Sequence, residues 1–286
     1  MTTYAVNGKE PVAAWIPSLD TAGNGTTTLT DLVGSNNGTL TNMDAATDWV
    51  ANTDNGGVRA LDFDGANDYV DCGAATVSAV TVSFSFWLYN NASGVNAGII
   101  FDDINQTGLR FNVASNLRIN TTSANLYLID AAVPATTWTH YLIVCNGTTL
   151  TGYKNGTLIT TQTIVAFAGM SNVNLGWLFA TSSDRFLRGR LDDIRIFNQA
   201  LDASDAAALY TRGRGATNVT TPIVAVNSKT PVAAWVPSIS RGDWGSTRLT
   251  DLVGTNHGTL TNMDAATDWV ADTVAGGVRA LDFDGS

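Results

Sequence analysis

The feature that most constrains this chain is an internal repeat with a fixed spacing of 220 residues. PVAAWIPS at Pro11–Ser18 returns as PVAAWVPS at Pro231–Ser238, and GGVRALDFDG beginning at Gly56 returns at Gly276. No gap separates the copies, and 44 of the 60 aligned positions from Val6 to Gly65 are identical. The differences gather at Leu19–Thr28 against Ile239–Arg248, which marks that stretch as a loop. A period this long is a domain-sized unit rather than a solenoid repeat. The chain therefore divides into a complete domain at 1–215, a linker at 216–225 and a partial repeat of residues 6–65 at 226–286. The partial copy lacks the strands that would cover its apolar face. Three accounts compete: a truncated chain, one window of a longer tandem array, or a fragment that packs on a neighbour.

The charges narrow the fold class. There are 24 Asp but one Glu, Glu10, and three Lys, Lys9, Lys154 and Lys229. Glu and Lys populate exposed helix faces, whereas Thr and aromatic residues suit strands, and Asn, Asp and Gly suit turns. Thr, Asn and Gly make up about a third of the sequence, so the chain reads as all-β with many tight turns. A net charge of −10 with only 15 Lys and Arg argues against a phosphate-tracking surface, and nucleic acid is excluded as the expected partner. No apolar run approaches the ~18 residues of a membrane span, so no membrane insertion is expected. The first residues, MTTYAVNGKEPVAAW, show neither the basic start nor the apolar stretch of a signal peptide. Cys72 and Cys145 make no metal pattern; two buried free thiols are the simple reading and a disulfide the alternative.

VSFSFWLY, from Val82, alternates with period two. Val82, Phe84, Phe86 and Leu88 share one face, and Ser83, Ser85, Trp87 and Tyr89 the other. TLTGYK and TLITTQT flank Asn155-Gly156, a two-residue hairpin signal because both central positions need positive φ. Further strands are expected in GLRFNV, ANLYLID, HYLIVC and GRLDDIRIF. LDASDAAALYTRG reads as one short C-terminal helix, with Asp202 or Ser204 as N-cap and Gly213 past its end. Strands at this spacing imply a two-sheet antiparallel sandwich or jelly roll.

Four segments in order carry a family resemblance: ALDFDGANDYVDCG, VSFSFWLY, WTHYLIVCNGTTLTGYKNGTLI and GRLDDIRIFNQALDASDAAALY. Together they resemble the LamG-like (laminin G-like) branch of the concanavalin A-like lectin/glucanase superfamily, over most of residues 11–211. The resemblance implies a jelly roll of two curved sheets serving binding or adhesion. It also raises catalysis, since the superfamily includes glycoside hydrolases with paired Glu. Such hydrolysis needs two carboxyl groups flanking the scissile bond, and the lone Glu10 lies in the N-terminal arm. A non-enzymatic role is expected.

Two sites remain as candidates. Many superfamily members hold calcium near a strand rim, and Ca²⁺ takes carboxylate and carbonyl oxygens; Asp64 and Asp193 are the first candidate ligands. Sugar binding favours an exposed aromatic beside polar groups, which points to Trp87, Tyr89 and Trp177, against the alternative that these rings fill a second buried layer. The leading expectation is a structural or adhesive protein on a virion surface: a phage decoration, head-fibre or tail-associated protein. Its expected partners are other virion or surface proteins, cell-surface glycans, and a second copy engaged through residues 226–286. The alternatives are a secreted or cell-surface glycan-binding module of a tandem array, and a self-assembling filament subunit.

Overall fold

The computed structural model describes residues 4–52, 58–74, 77–91, 96–112, 115–178, 185–212, 248–249, 257–264, 267–272 and 278–283. The linker at 216–225 and the start of the repeat, 226–247, lie outside the described residues.

Two antiparallel sheets carry the fold. The first contains β1 (Ala13–Trp15), β4 (Trp49–Asn52), β5 (Val58–Asp64), β7 (Thr81–Asn90), β12 (Trp138–Asn146), β13 (Thr149–Lys154), β14 (Thr157–Thr163) and β16 (Arg188–Phe197). Their order is β14-β13-β12-β7-β16-β5-β4, with β1 also pairing β16. The second contains β2 (Thr28–Leu29), β3 (Gly38–Thr41), β6 (Tyr69–Asp71), β8 (Ala97–Asp102), β9 (Thr107–Phe111), β10 (Leu117–Thr122), β11 (Asn125–Asp130) and β15 (Asn174–Leu175). It runs β11-β10-β9-β8-β15-β6-β3-β2. One helix, α1 (Ala203–Arg212), follows the last strand of the first sheet. This is the expected all-β sandwich with one short helix.

The alternation of β7 positions the core. Val82, Phe84, Phe86 and Leu88 are buried between the sheets, against Leu109, Ile119 and Leu175 of the second sheet. Cys72 and Cys145 are buried free thiols, and burial pushes Cys145 up to about 12, where it stays protonated and inert. The opposite face of β7 is buried as well, because α1 and the N-terminal segment lie over it. Val6, Leu142, Tyr153, Phe197, Leu201 and Leu209 form this second apolar layer. Asp202 caps α1 by accepting from the backbone N–H groups of Ser204 (2.8 Å) and Asp205 (3.1 Å), while Asp205 accepts from that of Asp202 (2.9 Å). Lys9 then ties the N-terminal arm to both carboxylates.

The repeat keeps its local pairing. β17 (Arg248–Leu249) pairs with β18 (Gly258–Thr259), and β19 (Trp269–Asp272) with β20 (Val278–Leu281). Their registers equal those of β2–β3 and β4–β5 shifted by 220. The turn chemistry repeats too: Asp268 accepts from the N–H of Asp264 at 2.7 Å, as Asp48 does from Asp44 at 2.6 Å. Among the described residues these are two separate two-stranded ladders, and they do not amount to a second domain. Phe63 is 1% exposed whereas its counterpart Phe283 is 74% exposed.

The hairpin of β13 and β14 turns on Asn155 (φ 50°) and Gly156 (φ 76°), the type I′ pattern. A Cβ on Gly156 would sit 3.3 Å from the Ala207 Cα of α1. Gly156→Val should therefore lower the melting temperature, at a cost of about 1–2 kcal/mol from the left-handed backbone alone. An unchanged melt would remove the turn from the list of stabilising elements.

Candidate functional site

Each expected site residue has a definite place. Trp87 stacks on Tyr210 of α1 (ring centroids 5.8 Å apart, 25° between planes) and is 8% exposed, so it belongs to the second buried layer and offers no open platform. The helix that seals it is its neighbour in space, 123 residues on in sequence. Tyr89 is half-buried against Trp138 (5.5 Å), with the Arg190 guanidinium 5.4 Å from its ring centre. Trp177 is also half-buried, but it sits in a cluster with Tyr69 and Phe186. The Tyr69–Trp177 centroids are 5.1 Å apart and the Tyr69–Phe186 centroids 6.4 Å, and Trp177 bridges Phe186 through the backbone. Tyr69 and Phe186 had no sequence signal of their own: each lies beside strand ends whose register alone brings them together.

Asp64 and Asp193 do not meet. Asp64 stands opposite Arg188 on β16, and Asp193 lies five residues further along that strand, roughly 16 Å away. Asp64 closes a turn by accepting from the N–H of Ala66 at 2.7 Å. Asp193 holds the fully buried Arg195, whose Nε and Nη2 donate to its two oxygens at 2.5 and 3.0 Å. A cation beside Asp193 would face that guanidinium. The pair supplies no shared calcium cage, and among the described residues no three His, Cys, Asp or Glu converge as metal ligands. The nearby Asp68 carboxyl is pushed up to about 6, chiefly by burial.

One buried constellation imitates catalysis. Ser85 Oγ lies 3.0 Å from His140 Nε2, a nucleophile–base spacing. Both residues are buried, with the Trp87 and Tyr210 rings against the His140 imidazole, so neither is open to a substrate carbonyl. Burial, with the charge of Arg195 second, drives the His140 imidazole down to about 3.

The outward face of the second sheet is different. There β9 and β10 place Arg110 opposite Arg118, beside the partly exposed Leu126 and Leu128 of the edge strand β11. A Cβ on Gly98, which stands opposite Arg110, would strike the Trp177 carbonyl oxygen. The aromatic cluster and the arginines thus adjoin on one face.

A family model described as the concanavalin A-like lectin/glucanases superfamily (Laminin_G_3) matches residues 64–207, half of the chain. The chain belongs to that superfamily, and its two-sheet antiparallel sandwich is the LamG-like fold that the sequence resembles. Among curated proteins none matches it. Among solved structures it is similar to domain 4 of AbnA, an extracellular arabinanase of Geobacillus stearothermophilus, solved with arabinotriose. That likeness has a TM-score of 0.55 at 17% identity, over 71% of this chain and 98% of that one. It is also similar to the binding domains of Paraclostridial Mosquitocidal Protein 1 (TM-score 0.52, 16% identity, 70% of this chain and 52% of that one) and of botulinum neurotoxin serotype D (0.52, 15%, 72% and 52%). The chain spans about half the length of those toxin domains, and at these identities the likeness is one of fold.

His140 generates a pH prediction. Its native-state value near 3 lies below the ~6.5 of an unfolded histidine, so the unfolded chain gains the proton first as pH falls. Between pH 6.5 and 3 the wild type should lose stability relative to His140→Gln. By pH 5 that loss reaches about 2 kcal/mol, read from denaturant unfolding at pH 7 and 5. Equal pH slopes in the two proteins would show that His140 titrates normally.

Proposed function

We propose that the chain is a secreted or surface-exposed glycan-binding module whose ligand lies across the outward face of the second sheet. The observation that supports it most is the half-exposed cluster of Tyr69, Trp177 and Phe186. Aromatic faces pack against the C–H faces of pyranose and furanose rings, and adjoining polar groups fix orientation. On the first sheet's outward face Trp87 lies under Tyr210 of α1, whereas Tyr89 stays half-buried beside Arg190. The likenesses support the same reading, because they are to a domain of an extracellular arabinanase, solved with arabinotriose, and to toxin binding domains. None of them ties the chain to a virion, so the binding module takes the place of the phage decoration protein as the leading reading. No helix among the described residues is long and apolar enough to cross a membrane.

A second reading, self-association, draws on the repeat. Within the repeat, β17–β18 and β19–β20 carry the pairings of β2–β3 and β4–β5, which in the first copy join β6 and β16, yet Phe283 is left open. The surface that covers residues 6–65 in one molecule is thus complementary to 226–286 of another, an exchange of the domain-swapping kind.

Two measurements check these readings. In a panel of neutral and acidic polysaccharides, Trp177→Ala should weaken binding at least about tenfold with its melting temperature kept; a full-strength variant would remove the aromatic platform. Deleting residues 216–286 should shift the sedimenting species toward monomer while residues 1–215 keep a cooperative melt. Assembly unchanged by the deletion would overturn the exchange.

A further inference from the structure

The outward face of the second sheet concentrates positive charge in an acidic protein. Arg110 and Arg118 are directly opposed across β9 and β10, an arrangement of like charges that destabilises an antiparallel pair. Both are half-buried, and neither has an ion-pair partner among the described residues. Arg110 donates through Nη2 to Asn96 Oδ1 at 3.0 Å and more distantly through Nε to the Phe111 carbonyl at 3.4 Å. The Nε of Arg118 is buried and makes no hydrogen bond. Burial, then the charges of Arg185 and Arg118, hold the Arg110 guanidinium below its ordinary value. Two residues beyond Arg118 and on the same face, Asn120 is 6% exposed and its Oδ1 is also buried without a partner.

The surroundings make this a recess. Gly98 stands opposite Arg110, and Gly108 stands opposite Asn120, so no side chain rises from either position beside the polar groups. Leu128, opposite Arg118, and Leu126, opposite Asn120, line the other side at 41% and 37% exposure. The Trp177 backbone crosses the Gly98 end of the row. Two guanidiniums held close in partial burial call for an anion, and a carboxylate matches their planar donors best. An unused amide oxygen in the same recess calls for a hydroxyl donor. Both demands are met by a sugar ring bearing a carboxylate and neighbouring hydroxyls.

We propose that Arg110, Arg118 and Asn120 form the carboxylate subsite of the face that carries Tyr69, Trp177 and Phe186, and that the ligand is a uronate-containing polysaccharide. The proposal rests on the glycan-binding reading above and gives it a substrate class. It also explains why a like-charge pair persists on a chain of net charge −10: the pair is unfavourable in the free protein and neutralised in the complex.

The test titrates the full chain with polygalacturonate, a neutral dextran and polyaspartate. Polygalacturonate should bind at least about tenfold more tightly than either of the others, and more weakly as salt is raised. Arg118→Gln and Arg110→Gln should each lose at least about tenfold in polygalacturonate affinity. Neither should melt below the wild type, because each relieves the repulsion; a structural role for these arginines would lower the melt and leave affinity intact, and that result overturns the subsite. Neutral polysaccharide bound as well as polygalacturonate, with Arg118→Gln inert, overturns the subsite and leaves the glycan reading standing. Polyaspartate bound as tightly overturns the saccharide assignment. No binding to any polysaccharide overturns both.

Discussion

The guanidinium of Arg195 is fully buried on the outward side of the first sheet, and a charge in that position must be met where it stands. Arg195 lies between Ala14 of β1 and Ser85 of β7, two small residues that leave it room. Asp193 reaches it because β16 breaks register between Asp192 and Arg195, with Asp193 at a φ of 50°, a left-handed conformation that Asp tolerates better than most residues. The Tyr4 carbonyl takes a third donor at 3.0 Å, so the N-terminal arm is drawn over the sheet, and Lys9 carries it on to the cap of α1. Without this pair the arm and helix would close over an uncompensated charge.

That closure makes the two outward faces different. A sandwich has two outward faces, and here part of one is taken up by a second apolar layer of Val6, Leu142, Phe197 and Leu209. The other carries Tyr69, Trp177, Arg110 and Arg118, with no helix laid across it among the described residues. Segment 6–65 contributes strands to both sheets: β1, β4 and β5 to the first, β2 and β3 to the second. The domain is therefore incomplete without its N-terminal quarter, and this is the part that the chain repeats.

Local signals in the sequence found many of the elements. The alternation of VSFSFWLY became β7 with its expected core face, Asn155-Gly156 became the hairpin turn, and Asp202 became the helix cap. Other strands were silent for a physical reason. AGIIFD of β8 is buried at all six positions, which removes the polar–apolar alternation, and LRINTT of β10 is too polar to stand apart from a loop. The candidate site was less legible. Trp87 shares a face with Ser83 and Ser85 as expected, but whether that face meets water depends on where α1 lands. Asp193, legible in the sequence only as one carboxylate of an Asp pair, is turned by its bulge onto Arg195.

The amino-acid order alone determined the period of the repeat, and it determined the β character of the chain, its Asn155-Gly156 turn and the cap of its helix because each of these depends on interactions within a few residues. It also carried the superfamily resemblance, whose motifs are short and contiguous. Only the tertiary structure decided that α1 lies over Trp87, and that Arg110 and Arg118 stand side by side. Those outcomes depend on strand register and on the landing of a helix from far along the chain. A one-residue slip in register would send each arginine to the opposite face, and no local pattern in the sequence records that choice.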